Sequence, residues 1–330
     1  MNKIAIVNSS SFGKIFVEHL EKLREIGEVE FFNFDQHIPG KELAEALKGY
    51  NYIIASVTPF FDKEFFENKD ELRLLSRHGI GYNNVDLEAA KEHNTLVTII
   101  PALVEREAVA EQNVTNLLNL MRRVSQSTKR VLSDRWEERS QFVGNTLYGK
   151  TVGIIGIGNT GSCIAETLRY GFRCRVISYD PNKSELEMQQ YGVEKVDLEY
   201  LLENSDVICL AANLTDESYH MINGETIKKM KEGVYISNSA RGALVDETAI
   251  IEGLESGQIA GYATDVLEVE PGRASHLFLQ FDNVIMTPHT GAYTAECLEE
   301  MGRKCVQDIE DVVQGKMPVR AIQSHSLYIK

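Results

Sequence analysis

Hydrophobic positions in the first hundred residues alternate between two periods. Residues 3–7, 28–34, 52–55, 72–76 and 96–99 read as short strands. Between them, residues 14–26 carry Ile15, Phe16, His19, Leu20 and Leu23 at helical spacing, and residues 41–47 and 87–92 are further helices. Such alternation predicts a parallel sheet with helices on its faces. Residues 105–125 form one long predicted helix, with Ala110, Val114, Leu117, Leu118 and Met121 on its buried stripe. Pro101 marks a boundary just before it.

A second series begins at Thr151, with strands expected at residues 151–155, 175–179, 207–210, 234–237, 259–264 and 284–286. Gly171 and Gly233 sit where C-terminal helix caps belong, and Asp246 where an N-cap belongs. The final helix, residues 296–313, returns to cover the first series. Residues 1–101 with 298–330 are therefore expected to form one domain and residues 102–297 another.

Composition narrows the field. The chain has 330 residues, 43% of them hydrophobic and 25% charged, as expected of a globular protein. No apolar run approaches the roughly 20 residues of a membrane span. Nor does Met1 open a secretory leader, so a cytoplasmic location is expected. The formal charge of −15 would repel phosphate backbones and argues against a nucleic-acid partner. The five cysteines are scattered and read as small buried hydrophobes. The eight histidines show no metal-ligand spacing.

Two clusters carry chemistry. Gly156-Ile157-Gly158-Asn159-Thr160-Gly161 fits G-x-G-x-x-G, follows a predicted strand and opens a helix expected over residues 159–170. The glycines permit a tight turn, close approach of a pyrophosphate and close helix–strand packing; the helix N-terminus offers free N–H groups. Asp180 ends the next strand, 19 residues after Gly161. A carboxylate there would accept both ribose hydroxyls and repel an extra phosphate, which favours NAD over NADP. Downstream, Arg241, Asp265, Glu270 and His289 fall at or just beyond successive strand ends, where parallel sheets bind ligands. His289 would protonate a keto oxygen and deprotonate the alcohol in reverse. Glu270 would orient the imidazole and favour its protonated form. Arg241 would hold a carboxylate and polarise the carbonyl.

These residues resemble the D-isomer-specific 2-hydroxyacid dehydrogenase family over nearly the whole chain. Ser239-Ala240-Arg241-Gly242, Asp265-Val266-Leu267-Glu268-Val269-Glu270-Pro271 and Thr287-Pro288-His289 look like its arginine, acid and histidine motifs. Arg77-His78-Gly79-Ile80-Gly81-Tyr82-Asn83-Asn84-Val85-Asp86 looks like its substrate-carboxylate loop, in which glycines expose N–H groups as an anion nest. The resemblance implies a Rossmann-type NAD-binding domain, plus a flavodoxin-like parallel α/β catalytic domain built from both chain ends, in a homodimer. It implies that Asp265 contacts the nicotinamide and the backbone of Ser239 its carboxamide. Ala240, Ala212, Asn213 and Ser218 join the expected cofactor contacts, as do Arg241 and His289. Gly79, Ile80 and Gly81 would bind the substrate with Arg241.

Two segments depart from the family pattern. Its usual His-x-Pro-Leu-Thr is replaced by Ala211-Ala212-Asn213-Leu214-Thr215, which alters the cofactor wall. The segment of residues 101–107 is one residue longer than usual and holds Glu105, Arg106 and Glu107. Leu103 would favour an aliphatic substrate and Arg106 one with a second acidic group, unless the charges simply open a solvated helix. Tyr293, four residues after His289, points to the lactate-like branch. The expectation is NAD-dependent reduction of a small 2-keto acid to a D-2-hydroxy acid. The alternatives are phosphoglycerate dehydrogenase, glyoxylate/hydroxypyruvate reductase, or an NAD(H)-sensing corepressor. Formate dehydrogenase fits less well, because that enzyme pairs its histidine with Gln where this chain has Glu270.

Overall fold

The computed structural model describes residues 2–322. Its contacts divide the chain into two units, one holding the residues up to Glu105 together with those from Tyr293 on, the other Arg106–Ala292.

In the first unit the chain runs β1 (Lys3–Val7), α1 (Val17–Ile26), β2 (Glu28–Phe32), α2 (Gly40–Ala46), β3 (Tyr52–Ala55), α3 (Lys63–Asn68), β4 (Leu74–Arg77), α4 (Leu87–Glu92) and β5 (Leu96–Thr98). All five strands are parallel, in the order β2-β1-β3-β4-β5, the flavodoxin-like winding. β1 and β3 are buried along their central residues on both faces, which is why they read as apolar runs without alternation. Helix α1 starts at Val17, later than expected. Gly13 turns the preceding chain at φ +67°, and Ile15 points to solvent while His19, Leu20 and Leu23 stay buried.

The second unit contains α5 (Arg106–Arg122), α6 (Val124–Leu132), β6 (Thr151–Ile155), α7 (Asn159–Glu166), β7 (Arg175–Tyr179), α8 (Glu185–Gln189), β8 (Glu194–Lys195), α9 (Leu198–Asn204), β9 (Val207–Leu210), α10 (Gly224–Lys228), β10 (Val234–Asn238), α11 (Glu247–Ser256), β11 (Ile259–Thr264) and β12 (Val284–Met286). Its seven parallel strands lie in the order β12-β11-β10-β9-β6-β7-β8, a Rossmann winding extended by one strand. Period-two alternation sends Ile154, Val176 and Cys209 to one apolar face, under α5 and α7, and Ile155, Ile177 and Ile208 to the other, under α9–α11.

Two helix ends differ from expectation. The predicted helix over residues 105–125 breaks at Arg123, whose φ of +54° ends α5 and starts α6. Gly171 does not cap α7 in the left-handed region, because the helix widens into a π-turn over Thr167–Gly171 and the positive φ falls on Arg173. Asp246 does cap α11, accepting from the backbone N–H groups of Thr248 and Ala249. All five cysteines are buried and unbridged.

Helix α12 (Ala295–Val313) returns to the first unit and lies against α1 and β4. Its buried Asp308 accepts from Ser76 Oγ at 2.9 Å and Thr98 Oγ1 at 2.6 Å, and pairs with Lys304. No helix among the described residues is long and apolar enough to cross a membrane.

Candidate active site

The glycine-rich turn after β6 has the shape its residues demand. Gly156 takes φ +90°, and a Cβ there would stand 2.6 Å from Cα of Ala212. A Cβ on Gly161 would overlap the Gly156 carbonyl, so that position also excludes larger residues. Gly158 differs: nothing lies within 4 Å of where its Cβ would be. This open cradle fronts Asn159 and Thr160, the first residues of α7, whose N–H groups begin the helix. Asp180, just past β7, accepts from the N–H of Ile157 at 2.9 Å and of Asn182 at 2.9 Å. A carboxylate has about four lone-pair directions, so capacity remains for ribose hydroxyls. The residues therefore fit a dinucleotide. Ala212 packs on the glycine turn, and Ser218 closes the next loop by donating to the Asn213 carbonyl at 2.8 Å.

The polar residues beyond β10, β11 and β12 form a connected group. Nδ1 of His289 lies 2.7 Å from Oε2 of Glu270. Burial raises the Glu270 pKa, but the hydrogen bond and charge of His289, the N–H of Leu267 and the charge of Arg241 outweigh it and hold the carboxyl below its ordinary range. An ionised Glu270 can only accept, so Nδ1 carries the shared hydrogen and Nε2 is left for chemistry. The backbone of His289 sits at φ +54°, a conformation rare outside glycine. It is held there by its N–H on the Asp265 carbonyl at 2.8 Å.

Asp265 does more than expected for that loop. Its Oδ1 accepts from Thr287 Oγ1 at 2.6 Å and the Thr290 N–H at 2.9 Å, and its Oδ2 from the Gly291 N–H at 2.7 Å. At 2% exposed, this carboxylate serves as the anchor of the histidine segment. Arg241 follows a turn that Asn238 organises, with Oδ1 accepting from the Ala240 N–H at 3.0 Å and Nδ2 donating to the Arg241 carbonyl at 2.9 Å. The Ser239 hydroxyl accepts from Asn113 of α5 at 2.9 Å. Asn238 and Asn113 were not singled out from the sequence. A polar residue at the last position of a buried strand is the signal that marks Asn238.

The remaining predicted residues divide between the units. Gly79, Ile80, Gly81, Leu103 and Tyr293 belong to the first, where Leu103 is 70% exposed and the Tyr293 hydroxyl lies 2.6 Å from Ser10 Oγ. Arg106 belongs to the second, where its guanidinium pairs with Glu107 and Glu166.

Residues 114–291 match the D-isomer specific 2-hydroxyacid dehydrogenase NAD binding domain. The chain is 34% identical over 317 residues to a glyoxylate reductase of Pyrococcus furiosus, covering 94% of each protein. Among solved structures it resembles apo D-lactate dehydrogenase from Escherichia coli (TM-score 0.83, 32% identity, 96% of this chain and 99% of that one). It also resembles D-lactate dehydrogenase from Aquifex aeolicus complexed with NAD and lactic acid (TM-score 0.81, 30% identity, 94% and 96%).

Proposed function

The chain belongs to the D-isomer specific 2-hydroxyacid dehydrogenase family of NAD-dependent oxidoreductases, and from that premise we propose that it reduces a small 2-keto acid, glyoxylate or pyruvate in size, to the 2-hydroxy acid. The observation that carries this reading is the His289–Glu270 pair at 2.7 Å.

NADH, when bound, would supply the hydride for the carbonyl carbon. His289 gives the keto oxygen its proton from Nε2 and takes it back in the reverse direction. Glu270 keeps the ring in one orientation and balances the imidazolium charge. Arg241 pairs with the substrate carboxylate and draws negative charge onto the keto oxygen. Gly156, Gly158, Asn159, Thr160 and Gly161 hold the pyrophosphate, and Asp180 the adenosine ribose. Ala212, Asn213, Ser218, Ser239 and Ala240 line the rest of the cofactor wall. The curated relative is named a glyoxylate reductase and two solved structures are D-lactate dehydrogenases; both names support a compact substrate.

Loss of NADH absorbance at 340 nm (the nicotinamide signal) with a panel of 2-keto acids tests the reading. Fastest turnover with glyoxylate, pyruvate or hydroxypyruvate supports it. NADH binding with no turnover of any member favours a redox-sensing binding protein instead.

The active form is a homodimer in this reading. Its contact surface is the segment from α6 onward, where Val124, Val131, Leu132, Trp136 and Val143 are all exposed and α6 buries nothing. Such a row of large apolar side chains suits a second copy of the same surface. Trp136→Glu is expected to shift sedimentation toward monomer; an unchanged mass would place the contact elsewhere.

A further inference from the structure

In the first unit, a carboxylate already sits on the glycine loop. Oε1 of Glu105 accepts from the backbone N–H of Ile80 at 3.0 Å, and it lies 3.8 Å from where a Cβ on Gly79 would stand. The loop beneath is held firmly. Arg77, 1% exposed, donates from Nε and Nη2 to the Gly81 carbonyl at 3.0 and 2.8 Å, and from Nη1 to the carbonyls of Ala55 and Ser56. With its carbonyl tied down, the loop keeps the Ile80 N–H presented to an anion.

We propose that Glu105 is an internal competitor for the substrate carboxylate, and that it restricts the site to compact mono-anionic 2-keto acids. The proposal rests on the reductase reading and on the expectation, drawn from the family resemblance, that the Gly79–Gly81 loop helps Arg241 receive the substrate carboxylate. A ligand carboxylate and the Glu105 carboxylate cannot both accept the one Ile80 hydrogen, and they repel each other. Displacing Glu105 therefore weakens every acid, and a second anionic group on the ligand adds further repulsion. Arg106, next in the chain, is itself paired with Glu107 and Glu166.

The test is the affinity of oxamate, an unreactive 2-keto acid mimic, for the full chain in saturating NADH, together with the amide resonance of Ile80. Glu105→Ala is expected to bind oxamate about tenfold tighter, the loss of one competing charge-assisted hydrogen bond. Glu105→Gln, which keeps the shape without the charge, is expected to fall between. The Ile80 resonance should move with oxamate at correspondingly lower concentration in both variants, and the preference for glyoxylate over phosphohydroxypyruvate should narrow. Oxamate affinity that is unchanged or weaker in both variants overturns the inference, as does failure of oxamate to bind any of the three chains. Tighter oxamate binding without turnover of any keto acid leaves the competitor in place and removes the reductase reading. Turnover of keto acids with unmoved oxamate affinity does the reverse.

Discussion

Gly242 lies against Leu267 so closely that a Cβ on the glycine would overlap the leucine carbonyl group and the Glu268 nitrogen. The arginine and acid motifs are thus packed backbone to backbone. Leu267 in turn donates its N–H to Oε1 of Glu270 at 3.0 Å, so displacement of Leu267 moves the carboxylate that orients His289. Gly242→Ala is expected to lower kcat by about a hundredfold, the usual cost of an ångström-scale misplacement. NADH affinity should change far less. Steady-state kinetics beside an NADH titration would decide; wild-type kcat would mean the two loops are not coupled.

His289, the proposed proton donor, has a left-handed backbone. Asparagine tolerates that conformation, so His289→Asn should fold and bind NADH much as the parent does. Turnover should fall by about 10²–10⁴-fold, the range for loss of a general acid. Retention of turnover would remove His289 from the mechanism.

Asp180 holds the glycine turn through Ile157 and the following turn through Asn182, as well as carrying negative charge. Asp180→Ala is expected to weaken NADH binding and to raise the NADPH-to-NADH ratio of kcat/KM by about tenfold or more. An unmoved ratio with a lower melting temperature would show that Asp180 serves only the two turns.

A buried imidazole outside the mechanism sets an acid limit on the first unit. Nε2 of His78 is buried with no hydrogen-bond partner, and the Phe12 ring meets it edge-on at 5.5 Å. Burial, and then the charges of Arg77 and His19, push the His78 pKa down to about 3. An unfolded histidine takes up its proton near 6.5, so the folded chain lags the unfolded one in proton uptake below that pH. Stability is complete above about 6.5 and falls by up to roughly 1.4 kcal/mol per pH unit as the medium is acidified. His19, also lowered chiefly by burial, adds in the same direction. His78→Phe should flatten this acid limb. Urea midpoints at about pH 5 and pH 7 measure it, and equal slopes in parent and variant would mean that His78 takes its proton within the fold.

Much of this was legible in residue order. The strand and helix periods gave both parallel sheets, because strands buried on both faces read as apolar runs and the helices between them carry one stripe each. The pairing of Glu270 with His289 was legible because both stand in motifs at strand ends. What stayed hidden depends on contacts distant in sequence. Residue order does not show that Asp265 also anchors the histidine segment, accepting from Thr287, Thr290 and Gly291. Arg106 reads either as a substrate cation or as a charge opening a solvated helix, and residue order does not show its pairing with Glu166, 60 residues away. Short elements also escaped: α3 and β8 have too few residues to show a period. The break at Arg123 has no glycine or proline to announce it.

The return of α12 to the first unit fixes an order of assembly. Asp308 closes on Ser76 and Thr98 across 232 and 210 residues of chain. On the ribosome, the strands of the first unit emerge before the second unit but lack this helix until the whole second unit has been made. The second unit, contiguous from Arg106 to Ala292, has all its residues in hand first. Of the two units, the one begun first is therefore the one finished last, and a nascent chain halted near Ala292 should show protease protection in the second unit but not in the first.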